Sequence, residues 1–100
     1  MNINREKLAC IHLSKQQINE LLHDPRFFIA TYEDEAGLTY PPHEHHHPQA
    51  LLVTRGSMTH FSNGKAHTQH EGDLLVVPAH LRHHAVVGEE GVEYFFIAPK

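Results

Sequence analysis

From Arg26 onward the chain is cut into short stretches: FFIATY, ALLVT, SMTHFS, KAHTQ, DLLVV, HAVV and VEYFFIA. Each is rich in β-branched and aromatic residues and is bounded by Gly, Pro or Asn, which is the signature of strands. Short strands at even spacing with turn signals between them imply an all-β sandwich or barrel. The clearest turn is Asn63-Gly64, because a type I′ hairpin requires positive φ at both central positions. A two-residue loop there sets the register: Ser62 opposite Lys65, Phe61 opposite Ala66, and His60 opposite His67. His60, His67, Met58 and Gln69 then share one face, Phe61 and Ala66 the other, and neither face is cleanly apolar. One short helix is signalled. Ser14 and Gln17 form a capping box, Ile18, Leu21 and Leu22 fall on one face, and Asp24-Pro25 ends the helix near His23. The expected layout is a single domain over 1–100, with an N-terminal extension (1–25, helix about 15–23) and a barrel over 27–98.

One hundred residues can bury one core but not two. A composition of 40% hydrophobic and 20% charged residues fits a globular chain. The formal charge of −4 offers no basic stripe for phosphates, so no nucleic-acid partner is expected. No apolar run approaches the ~20 residues of a membrane span, and MNINREKLACIHLSK lacks the apolar segment of a signal peptide. The lone Cys10 excludes an internal disulfide and fits a cytoplasmic location. As a residue it reads as a plain small side chain rather than a reactive thiol.

The unusual quantity is histidine, 12 residues against 8 Lys+Arg, so net charge should swing with pH just below neutrality. PPHEHHHPQA (41–50) holds four of them. In an extended segment side chains alternate, so His43, His45 and His47 point one way and Glu44 and His46 the other. Two imidazoles at i and i+2 can converge on one cation, with Gln49 continuing the face if the strand survives Pro48. A second block, PAHLRHH, offers His80, His83 and His84. Neutral imidazole suits Zn, Cu, Fe and Ni, and a mixed nitrogen/oxygen shell does not choose among them. The competing reading is a set of exposed loop histidines.

The two blocks together resemble the cupins. The first cupin motif is a Gly, five residues, His-x-His, three or four residues, Glu, six residues, Gly; here it reads Gly37, LTYPP, His43-Glu44-His45, HHP, Gln49, ALLVTR, Gly56. The second reads Gly72, DLLVV, Pro78-Ala79-His80, Leu81-Arg82, His83. Gln49 stands where Glu is expected, His80 where Gly is expected, and Val87 where Asn is expected. The resemblance covers about 27–98 and implies a double-stranded β-helix, the jelly-roll barrel. It also implies one divalent transition metal (Fe, Mn, Ni or Zn) held by His43, His45, Gln49 and His83. Gly37, Gly56 and Gly72 would sit at turns.

An amide in place of the carboxylate leaves the ion's full charge, which favours Lewis-acid work on an anion and loosens the metal. His47 is the rival fourth ligand, and His46 and His84 read as surface residues. The resemblance implies a metal-dependent enzyme on a small oxygenated substrate, a sugar acid or enolisable carbonyl, by isomerase, lyase or dioxygenase chemistry. Alternatives are a non-catalytic module for a small ligand and a metal serving only as a staple. The end of the chain is similar to cupins that linearise unsaturated uronates, but their last-strand acid is missing: the positions read Phe95, Ile97, Pro99 and Lys100. Proton transfer would then fall to His60, His67 or Tyr94. His60 and His67 read equally well as a polar pair at the surface or at a subunit contact. A homodimer built on VEYFFIA and FFIATY completes the expectation.

Overall fold

Two long strands organise the molecule. The computed structural model describes residues 7–100; the first six residues of the N-terminal extension lie outside it. In chain order the elements are β1 (Ala9–His12), α1 (Lys15–Leu22), β2 (Phe27–Asp34), β3 (Thr39–His43), β4 (Gln49–Ser62), β5 (Lys65–Gln69), β6 (Asp73–Val77) and β7 (His83–Pro99). β4 and β7 run antiparallel for most of their length. The sequence divides each into two strands, at Gly56 and near Gly91, whereas the structure keeps each whole and bends it. The ladder between them shifts register on both sides of Arg55 and Gly56. Gly56 and Gly91 have φ of +77° and +78°, and a Cβ on Gly56 would overlap the Gly91 carbonyl. The glycines are corners: the backbones cross there too closely for any side chain.

The corners fold the strands into two faces, all paired antiparallel. The first half of β4 pairs with β6 and with the second half of β7, and β1 and β2 extend this face to the order β1-β6-β4-β7-β2. The second half of β4 pairs with β5, and the first half of β7 with β3. The hairpin forms in the expected register, with Asn63 and Gly64 at φ of +52° and +74°. Its inward face is the one carrying Met58, His60 and Gln69, each at most 2% exposed.

Two strands went unread in the sequence. β1 pairs with β6 from within the stretch assigned to an extension. β3 contains Pro41 and Pro42, which argue against a strand, and its register shifts between Tyr40 and His43. The α1 capping box forms: Gln17 N–H donates to Ser14 Oγ at 3.1 Å and Ser14 N–H to Gln17 Oε1 at 2.8 Å. Ile18, Leu21 and Leu22 are only half-buried, so the helix lies on the surface. Between the two faces one group of buried side chains gathers Leu51, Val53, Met58, Ala85, Val87, Val92 and Tyr94; a second gathers Leu8, Leu75, Val77 and Leu81, with Cys10 packed against it. Burial raises the Cys10 pKa, with Asp73 adding to it, as befits an inert thiol.

Candidate metal centre

β3 ends on His43, β7 begins on His83, and the two are partners in the ladder. His45 follows in the loop. One ring nitrogen from each of the three lies within 4.8 Å of the others, and the ring centroids are 4.4–5.3 Å apart. Two backbone carbonyls set the chemistry of this cluster. His43 Nδ1 is 2.6 Å from the Pro41 carbonyl and His83 Nδ1 is 2.9 Å from the Leu81 carbonyl. A carbonyl only accepts, so each Nδ1 carries the proton and each Nε2 is left with its lone pair. That is the tautomer a metal-ligating imidazole needs, and its orientation is held from behind. Burial lowers the pKa of His45, and its two histidine neighbours lower it further; His83 is lowered by burial against the opposing Leu81 bond. Two imidazoles in fixed tautomers, with the ring of His45 beside them, offer nitrogen donors that fit a divalent transition ion, and His43, His45 and His83 are the residues that could hold it.

The cluster opens on a cavity of about 370 Å³. Gln49, first residue of β4, lines it beside the histidines, with Leu51, Met58 and Phe96 as apolar wall. His47 is exposed, because the chain leaves extended geometry after His43 and the alternation ends there; it borders a neighbouring depression that His45, Gln49 and Phe96 also line. His46 meets the ring of His80, and His84 stacks on Phe61; none of these three histidines lines the cavity. His80 has φ of +64°, so the left-handed turn persists although glycine is absent, and its N–H donates to the His45 carbonyl at 2.7 Å. That bond ties the two histidine blocks together.

Of the proton-transfer candidates, His60 and Tyr94 line the cavity, whereas His67, partner of His60 in the ladder, borders a separate hollow with Ser62 and Lys65. His60 is buried beside Gln69, its Nε2 2.8 Å from Gln69 Oε1, and burial pushes its pKa down to about 4. Sequence reasoning missed Tyr40 and Asp34. By strict alternation Tyr40 faces away from His43, but the irregularity at Pro41-Pro42 turns both into the cavity. The Tyr40 hydroxyl donates to Asp34 Oδ2 in a short hydrogen bond, and burial with that bond raises its pKa strongly. Tyr94, whose pKa burial also raises, stacks against Tyr32 at 5.6 Å. The Pro-Pro pair was the one available signal, since prolines inside a strand mark bulges.

The sequence profile of the AraC-like ligand binding domain matches residues 28–100. No curated protein matches the chain. Among solved structures, a DUF861 family protein from Thermotoga maritima superposes with a TM-score of 0.69 at 16% identity, over 94% of this chain and 100% of that one. KdgF from Halomonas sp. gives 0.66 at 20% identity, over 100% and 84%. A cupin-2 domain containing protein from Shewanella frigidimarina gives 0.65 at 18% identity, over 78% and 74%. At such identities the neighbours establish the fold, a jelly roll, and the profile establishes the family. The chain belongs to the AraC-like ligand binding domains of the cupin superfamily.

Proposed function

We propose that the protein binds one divalent transition metal (Fe, Mn, Ni or Zn) through His43, His45 and His83, with Gln49 as fourth ligand, and holds a small oxygenated acid against it. The observation that carries this reading is the pair of carbonyl bonds leaving Nε2 of His43 and His83 bare at the head of an open cavity. A purely structural ion would be closed in by its ligands. When bound, the ion would act as a Lewis acid on the oxygens of the small molecule. Around it, the chain's own groups orient the ligand: Gln49 from the side, Tyr40 and Tyr94 from the wall, and Phe96 and Met58 by excluding water. We assign sugar acids or enolisable carbonyls as the ligand class, with isomerase, lyase or dioxygenase chemistry. A second reading, capture without turnover, is favoured by the family itself, a ligand-binding domain. We further propose a cytoplasmic homodimer that uses β2.

The test is elemental analysis of protein purified without a nickel column, for the parent and for His83→Ala. Near-stoichiometric metal in the parent, lost in the variant, is the expected result. Iron would direct assays to oxygenation, and zinc, manganese or nickel to isomerisation and elimination on sugar acids. Absence of metal from both proteins, even after reconstitution, would sink the metal-centre reading.

A further inference from the structure

We infer that the acid held at the histidine cluster carries a flat, uncharged aromatic arm, which lies in the depression beside the metal cavity. The inference rests on the metal-centre reading and names what that ligand has besides its acid group.

The first observation is continuity. His45, Gln49 and Phe96 line both the cavity of about 370 Å³ and the neighbouring depression of about 600 Å³. Two of these residues, His45 and Gln49, belong to the proposed donor set, so the two hollows meet at the metal position and form one cleft. An acid bound there through its carboxylate can extend its far end into the second hollow. The walls of that hollow are already in place. His80 N–H donates to the His45 carbonyl at 2.7 Å, and the rings of His46 and His80 meet at 5.6 Å, which anchors the loop after β3. Gln49 enters the ladder opposite Val77, and Phe96 and Ala98 stand two apart on β7, on one face. A preformed wall favours binding because little has to be ordered when the ligand arrives.

The second observation is how the chemistry divides across the depression. One side is apolar and comes from the end of β7: Phe96, Ala98 and Pro99, with Pro48 beside them. The polar groups of the rim, Glu44, His46 and His47, all come from the loop on the other side. Phe96 and Ala98 are half-buried, so a ligand can still reach them. Hydroxyls set against that wall would lose water and find no partner, whereas an aromatic face buries apolar surface there. Among the described residues, Glu44 is the one carboxylate of the depression, and it disfavours a second anionic group. The anionic end therefore belongs at the histidines and the arm is uncharged.

The experiment uses three 2-hydroxy acids that share one head group: lactate with no arm, 3-phenyllactate with an aromatic arm, and gluconate with a polyhydroxylated one. Each is titrated by ¹H NMR against the zinc-loaded protein, zinc being diamagnetic. Phenyllactate should bind at least tenfold more tightly than lactate or gluconate. Tenfold corresponds to about 1.4 kcal/mol, the burial of roughly 55 Å² of apolar surface. Its ring protons should show nuclear Overhauser contacts with the Ala98 methyl group and the Phe96 ring. Ala98 lines the depression and not the metal cavity, so Ala98→Trp should fill the arm's place. Phenyllactate should then lose at least fivefold, with lactate unchanged; if that variant fails to fold, the contacts in the parent decide. Equal affinities for lactate and phenyllactate, or gluconate binding as tightly as phenyllactate, would overturn the inference while leaving the metal centre standing. Ring contacts with Tyr32 and Tyr40 in place of Ala98, or equal losses of lactate and phenyllactate in the variant, would do the same. Binding of none of the three acids to a zinc-loaded site would overturn the anion-holding reading and this inference together.

Discussion

The Pro41 and Leu81 carbonyls do for His43 and His83 what the Gln69 amide does for His60: each fixes which nitrogen keeps its lone pair. Alternation put His43 and His45 on one face, and the resemblance to the cupins singled out His83 from His80, His83 and His84. Neither could name the tautomers, since the carbonyls that set them are placed by backbone folding. His60 carries a prediction at this scale. Its folded pKa of about 4 lies below the ~6.5 of an unfolded histidine, so between those values the unfolded chain binds more protons and stability falls as pH falls. From pH 7 to pH 5 the loss attributable to His60 should be about 2 kcal/mol. It is checked by urea unfolding of chelator-treated protein at both pH values. His60→Gln should show a shallower fall by that amount, and an equal fall would mean the ring titrates freely. The lowered pKa values of His45 and His83 act in the same direction in both proteins.

Among the elements, β3 was the hardest to foresee and matters most to the cavity. Two prolines forbid a regular ladder, yet the resulting irregularity is what lets Tyr40 and His43 face the same way. Alternation also failed for His47, because the strand stops at His43. The turn at His80 makes a second prediction. A histidine at φ of +64° is held against a cost of roughly 1–2 kcal/mol, part of which glycine's extra chain entropy offsets. His80→Gly should therefore raise unfolding free energy by about 0.5–1 kcal/mol with metal content unchanged. Loss of metal in that variant would instead make His80 a ligand. At the corner of β4, Gly56→Ala should cost about 3 kcal/mol or more, read by thermal melting, because the new methyl group collides with the Gly91 backbone.

For the whole molecule, the remaining question is what covers β2. It ends the sheet order, and Phe28 (57% exposed) and Tyr32 (49%) stand on the same face of it as the cavity residues reached through Tyr94. VEYFFIA cannot contribute as much as expected, since Val92, Tyr94 and Ile97 are buried within the chain. A homodimer closed over β2 should run as a dimer in light scattering, and Phe28→Glu should shift it to a monomer with an unchanged circular dichroism spectrum. A parent that scatters as a monomer at all concentrations would refute the dimer.

The sequence by itself determined the all-β class, the hairpin register at Asn63-Gly64, the capped helix and the pairing of His43 with His45, because each is written in local spacing, turn chemistry or alternation. Tertiary structure alone decided that Gly56 and Gly91 are corners within strands, that Tyr40 enters the cavity, and that His60 is buried against Gln69. Those outcomes depend on which backbone atoms the folded chain brings alongside one another, and no local pattern in the sequence encodes that.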